Sequence, residues 1–203
     1  MKKYAVLHEP GDIVTLAGTR FVVLDVERRG SLPDSLFLLA LESVGASEFG
    51  SSNNYAESDL KKAVDKWLED MGKRGLDNAK LIPREIDLTT LDGSGCYGKL
   101  SVKAAPLTLD EAREYADIIP NAERWCWLAT GWSGPSKSDG DLALYVDSNG
   151  GWGSSYCSDS YGIRPALKVP SILFEDSEAG LDLSKIPTDD LLQEIHRRLA
   201  EKA

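Results

Sequence analysis

The sequence predicts a mixed α+β fold. Three observations carry that expectation: two β-branched and aromatic runs within the first 41 residues, two capped segments with helical apolar spacing, and a late series of short strands separated by Gly, Ser, Asn and Asp turns. At 203 residues, with 42% hydrophobic and 28% charged side chains, the chain can bury a core of its own as one main domain.

The first two runs, residues 20–26 and 36–41, are flanked by Gly18, Gly30 and Pro33, and they read as a strand pair joined by a polar turn. A Gly/Ser/Asn loop over residues 45–54 follows. Ser58 then caps a helix whose apolar positions Leu60, Val64, Trp67 and Leu68 fall at helical spacing, which places Trp67 in the core. Residues 71–103 contain Pro83 and a Gly-rich run from Leu91 to Lys99, and they read as a mobile connection. Thr108 and Glu111 form a capping box for a second helix over residues 109–118, with apolar positions Leu109, Ala112, Tyr115 and Ala116 and a stop at Pro120. Four short strands are expected next, over residues 124–129, 142–146, 152–156 and 163–169, in one antiparallel sheet. Asn149-Gly150 is a hairpin-closing pair between the second and third of them.

After Pro170 the chain turns acidic and ends in an amphipathic segment over residues 186–199. Thr188 is its N-cap, Asp189 and Asp190 favour its start, and Arg197 and Arg198 favour its end. Its stripe of Leu191, Leu192, Ile195 and Leu199 docks either on the domain or on a partner, a second copy included. The division is therefore a domain over residues 1–172 and an acidic linker with a C-terminal amphipathic helix over residues 173–203.

A formal net charge of −10 and a pI near 4.7 argue against a nucleic-acid partner, because binding to phosphates needs a basic stripe that releases counterions. The acidic surplus concentrates in residues 1–60 and 171–203. That distribution leaves open an acidic inhibitor that occupies a basic site on a host or defence protein, as an alternative to ligand recognition. Cys96, Cys126 and Cys157 show no zinc or redox spacing and read as small buried hydrophobes in a reducing setting. The N-terminus has no apolar signal-peptide core and no run reaches membrane-spanning length, so a soluble protein without a signal peptide is expected, in the cytoplasm or a phage particle.

The order of these pieces resembles a known family. The residues that carry the likeness are Phe21-Val22-Val23-Leu24-Asp25-Val26, Tyr55-Ala56-Glu57-Ser58-Asp59-Leu60, Pro106-Leu107-Thr108-Leu109-Asp110-Glu111-Ala112, Trp125-Cys126-Trp127-Leu128, Ala143-Leu144-Tyr145-Val146 and, most specifically, Gly162-Ile163-Arg164-Pro165-Ala166-Leu167. Over residues 13–170 they resemble the DUF6273 family of bacterial and prophage proteins. The resemblance implies a C-type-lectin-like domain related to the formylglycine-generating-enzyme group, with two helices flanking a twisted antiparallel sheet and a ligand surface on the last strands and their loops. The family commonly shows a Trp-Trp-Leu-Arg-Ser strand, whereas this chain has Trp125-Cys126-Trp127-Leu128-Ala129-Thr130, so no role of that Arg is carried over.

Catalytic sets are missing from the pattern. Cys126 and Cys157 do not match the close pair of formylglycine-type oxidases, and His8 and His196 lie outside the core region. No phosphate-binding Gly fingerprint occurs, and Gly93 and Gly95 lead into turns. The loop residues Asp139, Asp141, Asp147, Asn149 and Asp159 lack the triplets of calcium-dependent lectins and read as turn formers. No enzyme, metal or cofactor is expected. What remains is a recognition alphabet of Tyr, Trp, Ser, Gly and Asn, which gives large contact area at low entropic cost. The expected ligand-binding residues are Trp132, Asp147, Asn149, Trp152, Ser154, Tyr156, Asp159 and Tyr161, facing a protein or glycan, while Trp125, Trp127 and Arg164 belong to the frame.

Overall fold

A computed structural model describes residues 8–29, 32–137 and 139–174, together with Thr188, Asp189, Leu192 and Arg197. Its elements in chain order begin with β1 (Ile13–Leu16), β2 (Thr19–Arg29), β3 (Leu32–Ala40), β4 (Ala46–Glu48) and α1 (Asp59–Lys73). They continue with β5 (Arg84–Asp87), β6 (Lys99–Val102), β7 (Ala104–Ala105) and α2 (Leu109–Glu114). The last are β8 (Cys126–Gly131), β9 (Leu142–Val146), β10 (Trp152–Tyr156), β11 (Ser160–Gly162) and β12 (Ala166–Pro170). One five-stranded sheet has the order β1-β2-β3-β12-β7, a second the order β10-β9-β8-β11-β4, and β5 pairs with β6 apart from both. The chain is thus mixed α+β.

The turn between β1 and β2 consists of Ala17 and Gly18, both at positive φ (47° and 76°), as a two-residue hairpin matched to strand twist requires. In β2 and β3 the register pairs Val22 with Leu39 and Val23 with Leu38. Phe21, Val23, Leu36 and Leu38 enter the larger core cluster, and Val22, Leu24 and Leu39 enter the smaller one. Burial on both faces explains why these strands read as continuous apolar runs rather than as alternations.

Ser58 caps α1 by accepting from the Lys61 amide, and Leu60, Val64 and Met71 are its fully buried side chains. Trp67 is half-buried and packs on Phe21, with ring centroids 6.4 Å apart. The Thr108–Glu111 capping box forms as expected, but α2 spans six residues and passes into turns in which the Ile118 and Ile119 amides donate to the Tyr115 carbonyl. The two isoleucines ahead of Pro120 disfavour continued helix, and Leu109 and Ala112 are buried in the smaller cluster while Tyr115, Ile118 and Ile119 pack against it from the turns. α1 contributes to the larger cluster and α2 to the smaller, and strands of both five-stranded sheets contribute to each.

Three expectations change. Residues 71–103 are not only a connection: Arg84–Asp87 and Lys99–Val102 form an antiparallel pair with Arg84 opposite Val102, and Leu81, Ile86 and Leu88 are buried. The Gly-rich segment between these strands obscured a short alternation of buried and exposed residues. The loop over residues 45–54 contains β4 and the buried Phe49 and Asn53. The stretch 163–169 is not one strand of the late sheet, and that sheet is not wholly antiparallel, since β11 runs parallel to β8. After β11 the chain crosses at Ile163-Arg164-Pro165 to the other sheet, where β12 lies between β3 and β7. Arg164 holds that crossing, its Nε donating to the Ala40 carbonyl at 2.9 Å and its Nη1 to the Pro120 carbonyl at 3.1 Å, which confirms it as part of the frame.

Thr188, Asp189, Leu192 and Arg197 are helical, and Leu192 is 48% exposed. The expected linker and the remainder of the C-terminal helix over residues 173–203 otherwise lie outside the described residues, apart from the short helical turn Ser171–Phe174.

Candidate functional site

Strands β8, β9 and β11 converge to build an aromatic cluster at one end of their sheet. The register sets Cys126 opposite both Val146 and Gly162, so Trp125, Tyr145 and Tyr161 meet beside that point. Trp125 stacks on Tyr145 with centroids 4.8 Å apart and planes within 8°, and Tyr161 meets Trp125 at 5.6 Å, Tyr145 at 5.1 Å and Trp127 at 4.6 Å. Trp127 is the buried anchor: its indole N–H donates to the Ser47 carbonyl at 3.0 Å, and Phe49 packs edge-on against it. The Tyr161 hydroxyl donates to Ser155 Oγ at 2.9 Å, and the Ser155 hydroxyl donates to the Asp159 carboxylate. These bonds fix the orientation of the Tyr161 ring.

Gly153 makes the stack possible. It lies opposite Tyr145, and a Cβ there would fall 2.5 Å from the Tyr145 hydroxyl oxygen and 2.6 Å from Cζ. The ring therefore lies across bare backbone, an arrangement known to favour aromatic–glycine cross-strand pairs.

Trp125 was assigned to the frame, yet it is 43% exposed. It borders a groove of about 470 Å³ lined also by Ala46, Glu123, Arg124, Ser148, Ser160, Tyr161 and Gly162. The groove combines aromatic faces with hydroxyls and one exposed ion pair, Arg124 with Glu123 at 3.8 Å. Sequence reasoning missed Trp125 because it shares strand parity with Trp127; the available signal was its position directly after the charged Glu123-Arg124, just outside the strand.

The predicted residues divide between two ends of the sheet. Trp152 pairs with Val146 at the Trp125 end, whereas Tyr156 pairs with Leu142 and Gly131 with Ala143 at the other. Of the predicted residues only Tyr161 lines the groove. Asp147 and Asn149 sit in the turn at the same end of the sheet, Trp152 is at that end but on the opposite face from Tyr145, Ser154 sits mid-strand, and Trp132 and Tyr156 lie at the far end. The Asp147 carboxylate accepts from the Asn149 and Gly151 amides at 2.7 and 2.8 Å, so it closes the β9–β10 turn. Asn149 is exposed at the tip of that turn. Trp152 is 46% exposed, with the Arg113 guanidinium 5.4 Å from its ring centroid. Asp159 is engaged by Ser155.

Trp132 is half-buried against the smaller cluster, and its loop is fastened. Asn53, itself buried, donates through Nδ2 to the Ser133 and Leu142 carbonyls at 2.9 and 3.0 Å and accepts from the Tyr97 hydroxyl at 2.6 Å. The Leu91 and Asp92 amides donate to the Gly131 and Trp132 carbonyls, and Lys137 pairs with Asp92. This loop behaves as structure.

Cys96 is exposed, contrary to the expectation of three buried thiols, whereas burial pushes the Cys126 thiol up to about 11 and the Cys157 thiol up to about 12, keeping both protonated at neutral pH. Among the described residues, no group of three or more His, Cys, Asp or Glu side chains could hold a metal ion.

A second concavity, about 170 Å³, is lined by Asp25, Glu27, Phe37, Arg84, Glu111, Tyr115 and Lys168. Buried Arg84 pairs through Nη1 with Glu111, donates through Nη2 to the Ala105 and Pro106 carbonyls at 3.1 and 3.2 Å, and lies 5.1 Å from the Phe37 ring centroid. Lys168 pairs with Glu27, which also accepts from Ser35. The Arg84–Glu111 and Lys168–Glu27 pairs tie α2, β5 and the first sheet together, so this concavity reads as a brace, although the Arg84 Nε has no hydrogen-bond partner among the described residues.

No family model matches the chain, and neither a curated protein nor a solved structure matches it.

Proposed function

We propose that the protein is a non-enzymatic recognition module that takes a glycan or protein ligand in the groove beside Trp125, Ser148, Ser160 and Tyr161. One observation carries the reading: the Trp125 ring is stacked face to face on Tyr145 and yet 43% exposed at the mouth of a polar groove. An aromatic face held in place before binding offers contact area without the entropic cost of ordering a side chain. Sugar C–H faces and apolar or aromatic peptide side chains are the chemistries such a ring accepts, and the surrounding hydroxyls supply hydrogen bonds at its rim.

The finer fold reading belongs to the same proposal: a C-type-lectin-like domain of the DUF6273 kind, of prophage or bacterial origin. What supports it is the sequence resemblance over residues 13–170, together with two helices that serve separate core clusters around the sheets. Among the described residues, no helix is long and apolar enough to cross a membrane. Residence in the cytoplasm or on a phage particle is part of the proposal.

The test is binding of a panel of bacterial cell-wall oligosaccharides and host surface proteins, read by tryptophan fluorescence and calorimetry. Trp125→Ala weakens binding of whichever probe is recognised by at least about tenfold, the scale of a lost aromatic anchor. Unchanged affinity in Trp125→Ala, with loss in Trp132→Ala instead, moves the site to the far end of the sheet and refutes the proposal.

A further inference from the structure

β10 is the last strand of its sheet, and its outer edge is unpaired among the described residues. Which backbone groups face outward follows from the ladder. The Asp147 amide donates to the Gly151 carbonyl and the Cys157 amide to the Asp141 carbonyl, so these positions are hydrogen-bonded pairs in the register that sets Trp152 opposite Val146. Antiparallel pairs alternate between hydrogen-bonded and non-bonded. Gly153 and Ser155 therefore turn their backbone groups toward β9, and Trp152, Ser154 and Tyr156 turn theirs outward. Of those outward groups, the Tyr156 carbonyl accepts from the Asp159 amide.

Natural edge strands are protected by lysine, proline, a bulge or a cover. This edge has none of the first three: its sequence is Trp152-Gly153-Ser154-Ser155-Tyr156, without charge, and its pairing with β9 is regular. Both aromatic side chains that flank Ser154 are exposed, Trp152 by 46% and Tyr156 by 61%. They share a face with Ser154, since strand side chains alternate.

We infer that the β10 edge is a self-association surface on which a second copy of this chain adds its own β10, antiparallel, about a twofold axis through Ser154. Two features favour a second copy over an unrelated strand. The segment is symmetric in kind about Ser154, so antiparallel self-pairing sets Trp152 of each chain opposite Tyr156 of the other and forms two aromatic cross-strand pairs. It is also uncharged, so two copies meet without the like-charge repulsion that charged edges present to themselves. Ser154 then exchanges both backbone bonds with its symmetry mate. The result is an isologous interface that joins two five-stranded sheets edge to edge.

The geometry places residue 154 directly against residue 154, which gives a charge test. Sedimentation velocity of the full chain over a concentration series shows a monomer–dimer equilibrium. Ser154→Lys and Ser154→Glu each weaken it by about a hundredfold, because like charges are forced together on the axis. An equimolar mixture of the two variants recovers a heterodimer. Tyr156→Lys, a change at an exposed side chain, weakens dimerisation independently, and circular dichroism of all three verifies that they are folded. A native chain that stays monomeric throughout the series overturns the inference and leaves the edge to a strand from another protein. Dimers that tolerate all three substitutions overturn it by placing self-association elsewhere, and individually monomeric Lys and Glu variants that fail to recover on mixing overturn the twofold pairing through Ser154.

Discussion

Replacing Glu111 with alanine removes two interactions that the structure couples in one carboxylate. Its side chain pairs with the Arg84 guanidinium and also accepts from the Thr108 amide at 2.8 Å, closing the capping box of α2. The Arg84 side chain is 8% exposed and that of Glu111 is 23% exposed. Breaking a buried pair by deleting one partner costs about 3–5 kcal/mol because the remaining charge stays desolvated, and the partial exposure of Glu111 puts this case near about 3 kcal/mol. Loss of the capping bond adds roughly 0.5–1 kcal/mol. The expected destabilisation of Glu111→Ala is therefore about 3–4 kcal/mol. In urea, with a slope of roughly 2 kcal/mol per molar for a chain of this size, the midpoint falls by about 1.5–2 M. The double variant Arg84→Met/Glu111→Ala is less destabilised than the sum of the two single variants by at least about 1 kcal/mol, since the orphaned charge is gone. A cost below about 1 kcal/mol for Glu111→Ala, or additivity within about 0.5 kcal/mol in the cycle, refutes the role of this pair as a brace.

Gly153→Ala displaces the Tyr145 ring and with it the Trp125 stack; a destabilisation of about 1–3 kcal/mol and an altered near-ultraviolet circular dichroism spectrum are expected, and an unchanged spectrum contradicts the packing. The Asp92 carboxyl is drawn down to about 2, chiefly by the Lys137 ammonium and then by the Thr90 hydroxyl. A depressed carboxylate favours the folded loop above its ordinary value of 3.8 and loses that contribution as pH falls through about 2. Carboxyl NMR titration of Lys137→Ala moves the Asp92 midpoint upward, and an unmoved midpoint excludes the tether. With an aromatic disulfide reagent near pH 8, exposed Cys96 reacts quickly while Cys126 and Cys157, held protonated by burial, react only on unfolding; equal rates for all three thiols contradict their placement.

Local chemistry was legible in the sequence where one residue acts on its near neighbours. Ser58 and Thr108 cap their helices because a side-chain oxygen and an amide three residues on suffice, and the Asp147 to Gly151 turn forms on the same short-range terms. What stayed hidden depends on distant partners. The assignment of β12 to the first sheet follows from Leu167 meeting Leu38, a pairing that no local pattern encodes. Of the groove-lining residues, Tyr161 was singled out through residue type but Trp125 was not, since contacts across the ladder decide which of two tryptophans is sealed. Trp132 looked available in a Gly-rich loop until Asn53, some eighty residues earlier, proved to bind that loop down. Arg84 gave no signal at all, because a single cation in an alternating strand usually faces water.

The placement of β12 between β3 and β7 has a consequence during synthesis. β3 leaves the ribosome early, but the strand that covers its free edge, Ala166–Pro170, is made more than a hundred residues later. Until then the nascent chain carries Leu36–Ala40 with half its backbone bonds open, and a ribosome that stalls before residue 166 releases a sheet with a hydrophobic gap. Closure of the β3 edge therefore waits on Ala166–Pro170, which is translated after most of the described core residues.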